Sequence, residues 1–278
     1  LDNRINLAAD WYKRNNFDLI GWTSTQGAGG QVNRMGNVAS MKSHGFEFTL
    51  STKNIKNKGF EWSTDLIFGL SKTEVTELNT RSFMFALISG SGFTREGYPH
   101  RGLFSIPFVG LDEQGFPIFE ISDKNNEKVL VDKNNYGTLN FQEMEHLDFL
   151  KYEGPTDPTI TGSFGNIFSI KNWKLNVFVT YSAGNKVRLD PVFRSTYNDL
   201  DATPKDFKNR WRVPGDEKRT NVPAISARRH HQLYSNLNLG YNAYNYSTVR
   251  VADGGFVRMM EISLTCLLYT SPSPRDAH

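Results

Sequence analysis

The stretch GFEFTLSTKNIKNKGFEWSTDLIFGLSKTEV, Gly45–Val75, alternates between apolar and polar residues almost without exception. Phe46, Phe48 and Leu50 fall on one side, and Glu47, Thr49 and Ser51 on the other. After a short polar link, Phe60, Trp62, Leu66, Phe68 and Leu70 oppose Glu61, Ser63, Asp65 and Ser71. A period of two sends successive side chains to opposite faces of a strand, so the pattern predicts an antiparallel hairpin with one apolar and one wet face. What the apolar face touches decides the fold. A second protein layer would make a soluble sandwich; hydrocarbon would make a membrane wall.

Four further stretches read as strands. RINLAADWY (Arg4–Tyr12) sets Ile5, Leu7, Ala9 and Trp11 against Asn6 and Asp10. TITGSFGNIFSI (Thr159–Ile170) sets Ile160, Phe164, Phe168 and Ile170 against Thr161, Ser163 and Ser169, with Asn166 interrupting its apolar side. Asn166 reads either as a bulge or as one tolerated polar residue. WKLNVFVTYS (Trp173–Ser182) is clean, with Trp173, Leu175, Val177, Val179 and Tyr181 on the apolar side. GFVRMMEISLT (Gly255–Thr265) is the least regular, because Arg258 shares a side with Phe256, Met260, Ile262 and Leu264. That arginine is expected near a strand end, or on the polar side through a register shift.

The connections alternate in length. KNIKNKG (Lys53–Gly59) and KN (Lys171, Asn172) are hairpin turns, whereas Phe17–Ser43, Thr73–Pro158 and Ala183–Val249 are long and without strong helical periodicity. In a meander every long connection then emerges at one end and every short turn at the other, as in outer-membrane barrels. Aromatic residues fall in two bands. Phe60, Trp62 and Trp173 lie beside the short turns, and Trp11, Phe68 and Tyr181 at the long-connection ends, the placement bilayer interfaces favour. The apolar sides of the second, third and fifth strands contain no Asp, Glu, Lys or Arg, which fits lipid and a dry sandwich core equally. The reading is an all-β, antiparallel transmembrane β-barrel fragment of about six meander strands with long extracellular loops.

Composition supports this lightly. Hydrophobic residues are 38% and aromatics 13% of the 278-residue chain. The net charge of +3 is spread along the sequence, unlike the concentrated basic footprint of a nucleic-acid binder. No apolar run approaches the ~18 residues of a membrane helix. The chain starts directly in patterned sequence without an initiator Met or leader, as expected of an internal piece of a longer polypeptide. The single cysteine, Cys266, permits no internal disulfide. It opens the tail CLLYTSPSPRDAH (Cys266–His278), where alternation stops; this tail resembles a translated sequencing adapter or cloning read-through and is set apart from the fold.

NRINLAADWYKRNNFDLI (Asn3–Ile20), GNVASMKSHGFEFTLSTKNI (Gly36–Ile55), FEWSTDLIFGLSKTEV (Phe60–Val75) and VADGGFVRMMEISLT (Val251–Thr265) follow one another in an order that resembles the SusC/RagA family, TonB-dependent outer-membrane transporters of Bacteroidota. FVTYSAGNKV (Phe178–Val187) is similar to a strand of that family ending in Gly-Asn-Lys. The resemblance covers most of residues 1–265 and implies a fragment of about six strands from the C-terminal half of a barrel of about 22 strands. The plug, the TonB-contacting segment and the early strands would lie upstream, and the last strands downstream. It also implies a SusD-like surface lipoprotein as partner, energy from the TonB complex, and a glycan or peptide substrate. The calcium-like loop of many members is absent from FQEMEHLDFLKYEGPTDPT (Phe141–Thr159), so no metal is carried over.

Nothing in the sequence assembles a catalytic, cofactor or metal site, and no substrate-binding residue is assigned. RRHH (Arg228–His231) reads as a loop or surface segment, since adjacent histidines on a strand would point to opposite faces. EMEH (Glu143–His146) reads as a solvated loop. Glu61 and Asp65 share a strand face but stand ~13 Å apart, too far for paired glycosidase work. The glycines of QGAGG (Gln26–Gly30) lack the strand-to-helix setting of a phosphate cradle. The expectation is a non-enzymatic outer-membrane protein whose wet faces (Asn6, Asp10, Glu47, Thr49, Glu61, Asp65, Lys174, Asn176) line a pore. Its long loops, including LYSNLNLGYNAYNYS (Leu233–Ser247), would shape a ligand cavity. The alternative is a secreted, soluble all-β carbohydrate-binding module whose apolar faces meet in a dry interior.

Overall fold

The computed structural model describes residues 4–24, 33–123, 125–141, 146–193 and 204–267. Six long strands form one antiparallel sheet: β1 (Ile5–Ser24), β2 (Asn33–Lys56), β3 (Phe60–Leu78), β4 (Ile160–Ile170), β5 (Trp173–Ala183) and β6 (Phe256–Cys266). Their order across the sheet is their order in the chain, the expected meander. The β4–β5 turn is two residues long, and its Lys171 takes a left-handed φ of 52°, the sense that tight hairpins need. No helix among the described residues is long and apolar enough to cross a membrane.

The first long connection is a correction. Most of Phe17–Ser43 is strand, because β1 runs on to Ser24 and β2 begins at Asn33, with register shifts between Asn16 and Leu19 and between Leu19 and Ile20. The alternation fades there because neither face of this taller hairpin is uniformly apolar, so period-two patterning has nothing to report. QGAGG lies outside the described residues, as do positions 268–278 of the tail. Cys266 closes β6, opposite Trp173.

Directly paired residues of an antiparallel sheet share a face, so the registers can be read as rows. Leu7, Leu50, Leu66, Phe164, Val179 and Met259 make one apolar row across all six strands. The aromatic bands fall into register around it: Phe60 and Trp173 flank Ile170 at the short-turn end, and Trp11 pairs with Phe46 at the other. The apolar face runs from Phe60 to Leu70, about ten steps or ~33 Å along the strand, which at a tilt of ~40° is ~25 Å of height, the thickness of a barrel's lipid-facing band. No Asp, Glu, Lys or Arg occurs on this face between those rows.

Two irregularities resolve on the register. The pairings Phe178–Glu261 and Val179–Met259 leave Met260 as an extra residue, a bulge that reverses the phase of β6. Arg258 therefore pairs with Thr180 on the polar face, with its guanidinium 4.8 Å from the centroid of the Phe256 ring. The same bulge moves Phe256 to the polar face and brings Val257 and Met259 to the apolar one. At Asn166 there is no bulge, since the pairings with β3 and β5 run through it unbroken. It is a tolerated polar residue, and its tolerance has a cause. Its Oδ1 accepts hydrogen bonds from Trp62 Nε1 at 2.9 Å and Thr64 Oγ1 at 2.8 Å, and Asn54 Nδ2 donates to Thr64 Oγ1 at 2.7 Å. The polar atoms satisfy one another within the apolar band.

The apolar face has no second layer among the described residues. Of the apolar residues of β1–β6 whose burial is described, only Val38, Ala39 and Val75 are buried, all beyond the band, while Trp11 is 71% and Ile262 65% exposed. Phe48, Leu66 and Val177 lie in separate rows of one surface and do not converge. The dry interior required by the soluble-module alternative is missing from the sheet.

The buried core sits in the long connections instead. Residues 79–159 contribute Leu87, Phe104 and Phe119, and residues 184–255 contribute Phe193, Leu237 and Tyr244, to one apolar cluster. The reading of these segments as loops without helical periodicity is corrected. They contain α1 (Met84–Ser89), α2 (Arg228–Leu233) and α3 (Leu237–Asn245), and a three-stranded meander over Phe108–Leu111, Pro117–Ser122 and Lys128–Val131. α1 buries Met84, Leu87 and Ile88 at helical spacing and ends at Gly90, whose φ of 64° suits a glycine cap. The meander's turns are set by Asp112 and Asp123, and the bend after it by Asp132. Each carboxylate accepts the backbone N–H two residues on, at 2.8–2.9 Å.

Replacing Asn166 with Ala is expected to destabilise the intact protein by about 1–3 kcal/mol, because Trp62 Nε1–H and the Thr64 hydroxyl lose their acceptor. Denaturant titration checks this against Asn172→Ala in the exposed turn, which should change little.

Candidate functional site: the polar face and the cap

Two surfaces can meet a ligand: the polar face of the sheet and the folded cap built from the long connections. On the polar face, Asn6, Ser51 and Asp65 form one row, Asp10 and Glu47 the next but one, and Lys56, Glu61, Ser169 and Lys174 a row near the short turns. Thr49 pairs with Ala8, and Asn176 with Ile167 and Ser263. All eight residues expected on the wet faces therefore lie on one side of the sheet. On this face the carboxylates Asp10, Glu47, Glu61, Asp65 and Glu261 are interspersed with the cations Arg14, Lys53, Lys56, Lys174 and Arg258. Glu61 and Asp65 share this face as expected, paired with Ser169 and Gly165.

Two tyrosines brace the wall over glycines. Tyr12 lies across Gly45, where a Cβ would come within 2.4 Å of its ring, and its hydroxyl donates to Ser71 Oγ at 3.0 Å. Tyr181 lies across Gly162 on the apolar face and donates to the Ile67 carbonyl at 3.0 Å. Each ring covers backbone that a glycine leaves bare and ties three strands together.

The cap is held by three polar side chains that the sequence did not single out. Arg188 donates to the carbonyls of Ile88, Phe104 and Ser247 at 3.0, 2.7 and 3.0 Å and to Ser105 Oγ at 3.1 Å, bridging the two connections. Burial pushes its pKa down to about 10, opposed by nearby Glu153, so it stays charged at neutral pH. Arg250 donates to Asp206 Oδ2 at 2.9 Å and to the Asp190 carbonyl at 2.6 Å. Asn245, on α3, accepts from the backbone N–H of Val192 and Phe193 and donates to the Phe193 carbonyl. A parallel bridge between Ile106 and Ser247 completes the join. The spacing of Leu237, Tyr241 and Tyr244 was the available signal for α3; the interleaved asparagines hid it.

The segment Arg228–His231 is helical, a correction to its reading as a loop, and lies at the surface as expected. His231 Nε2 and Ser226 Oγ are 2.8 Å apart, and His230 Nδ1 accepts from the Ala227 N–H at 3.1 Å. Desolvation lowers the His230 pKa. Each ring serves local structure, and the two do not converge on a shared point. Glu143 and Glu145 lie outside the described residues, and His146 is exposed. Among the described residues no three His, Cys, Asp or Glu side chains gather as metal ligands.

Arg188→Met should leave three carbonyls and a hydroxyl without their donor and cost the cap about 3 kcal/mol. Limited proteolysis of the intact protein is expected to cut within 79–159 and 184–255 at lower temperature than in wild type. Arg229→Met on the exposed face of α2 should show no such change.

No family model matches the chain. It is 24% identical over 263 residues to TonB-dependent receptor P3 of Formosa agariphila, covering 87% of this chain and 26% of that protein. It is also 24% identical over 301 residues to TonB-dependent receptor P39 of the same organism, covering 94% and 27%. The chain thus spans about a quarter of the length of the relatives it matches. Among solved structures, the RagAB peptide transporter superposes with a TM-score of 0.68 at 21% identity over 95% of this chain and 27% of that one. The closed-closed state of the RagAB peptide importer gives 0.66 at 20% identity over 96% and 27%. At that identity the superposition establishes the fold, sheet and cap together: an antiparallel transmembrane-barrel wall with folded connections at one end. The resemblance to SusC/RagA-type TonB-dependent outer-membrane transporters, first visible in four strand motifs, thus holds in sequence over most of the chain and in fold over nearly all of it.

Proposed function

We infer that the chain forms part of the wall and extracellular cap of an outer-membrane importer that takes up a nutrient, glycan or peptide, with energy from a TonB complex. The observation that carries this reading is the uncharged band, ~25 Å tall, that six paired strands present with no protein layer over it among the described residues. The polar face then lines the pore, and the cap covers its outer mouth. The relatives named as TonB-dependent receptors and the neighbours named as peptide transporters support transport rather than catalysis. The fused cap is a firm platform for a SusD-like surface lipoprotein, and coupling to TonB and a plug belongs to parts of the importer outside this chain. Residues 1–265 are accordingly one piece of a larger barrel; of the 266–278 tail, Cys266 still pairs within β6, and the part foreign to the barrel follows it.

The wall is expected to be intolerant of charge. Leu66→Arg, in the middle of the apolar band, should cost about 2–4 kcal/mol in a bilayer, whereas Asp65→Arg on the polar face should be accommodated. Outer-membrane fractionation of the full-length protein, with gel mobility before and after boiling, reads both. Recovery of the full-length protein as a soluble secreted monomer would overturn the reading in favour of a carbohydrate-binding module. Uptake of labelled oligosaccharides and oligopeptides by cells with and without the gene separates the two substrate classes.

A further inference from the structure

Immediately above the apolar band, on the same outward face, the register changes from aromatic to cationic. The row after Trp11, Phe46 and Leu70 is Lys13, His44 and Lys72, and the next is Asn15, Lys42 and Glu74. Lys42 is tied to Glu74 at 2.9 Å, so that carboxylate is already matched. Lys13, His44 and Lys72 are exposed, and no carboxylate pairs with either lysine among the described residues. Asp157, which lines the same recess as Lys72, is taken by Arg101 at 2.7 Å. A recess of about 310 Å³ lies on this face, lined by Trp11, Lys13, Lys42, Ser43 and His44. A second, of about 300 Å³, begins at Lys72.

We propose that this row is a binding site for the phosphate-bearing headgroup of an outer-leaflet lipid, and the inference rests on the membrane reading given above. Lys13 and Lys72 stand two strands apart, ~10 Å at the usual inter-strand spacing. Two flexible ammonium groups at that separation reach one diphosphorylated headgroup from both sides, with His44 between them. The ligand must satisfy two surfaces at once, hydrocarbon against Trp11, Phe46 and Leu70, and negative charge one row higher. An anionic amphiphile lying along the wall does this. A soluble nutrient passing along the opposite, polar face never meets these residues.

The test uses the full-length protein in detergent micelles, titrated with diphosphorylated lipid A and, separately, with a dephosphorylated lipid A and with inorganic phosphate. The diphosphorylated lipid is expected to bind most tightly, and the double variant Lys13→Gln/Lys72→Gln to weaken that binding about 10–30-fold. Lys58→Gln/Lys171→Gln in the exposed turns at the opposite end should leave it unchanged. Equal binding by the Lys13/Lys72 variant, or equal affinity for the dephosphorylated lipid, would overturn the proposal. Binding of inorganic phosphate as tight as that of the lipid would make the row a free-anion site and overturn the lipid assignment. Failure of the wild-type protein to enter lipid vesicles at all would instead strike the membrane reading.

Discussion

Every backbone N–H and C=O that enters hydrocarbon has to find its partner within the protein, because lipid offers none. In this chain pairing across six strands meets that constraint for the four inner strands and for the inward side of β1 and β6, and the pairing then dictates where each side chain points. A one-residue slip would exchange the faces and drive Glu47, Asp65 and Lys174 into the apolar band. The register is pinned where the sequence is irregular: by the bulge at Met260, by Tyr12 and Tyr181 lying over glycines, and by the Asn54–Thr64–Asn166–Trp62 hydrogen-bond chain. The departures from alternation are the features that hold the alternation in phase.

The cap follows a different physics. It keeps a buried aromatic core, as a water-soluble domain does; Arg188 and the Ile106–Ser247 bridge join two segments far apart in sequence, while Arg250 and Asn245 brace the second of them internally. One chain therefore holds two kinds of apolar surface. The sheet's faces outward in rows, and the cap's is packed inward. This division accounts for a composition that is rich in aromatics yet modest in total apolar content. The same rings serve an interface with lipid in one part and edge-to-face packing in the other, as with Phe108 against Tyr244.

The strands from Ile5 to Trp11 and from Phe46 to Leu70 were legible because only one face of each is apolar, which is the condition under which a period of two is visible. Arg258 was legible as an anomaly, and one of the two solutions offered for it, a register shift, is the one the structure adopts. Asn166 was equally conspicuous, but choosing between bulge and tolerated residue needed its partners Trp62 and Thr64, which lie about a hundred residues away. The hairpin above Trp11 and the cap helices were misread as loops. In the first, no face is uniformly apolar. In the second, α1 and α2 are only six residues long and too short to display a helical period.

By itself the sequence determined that there are about six wall strands, their meander order, which residues occupy each face of β1–β5, and the absence of charge from the apolar sides of β2, β3 and β5, since these depend on local alternation and turn chemistry; the faces of β6 waited on its bulge. Tertiary structure alone decided that the long connections share one core, that Arg188 bridges them, and that Lys13, His44 and Lys72 fall in a single row. Those facts depend on cross-strand register and on contacts between segments tens to more than a hundred residues apart, which no local pattern encodes.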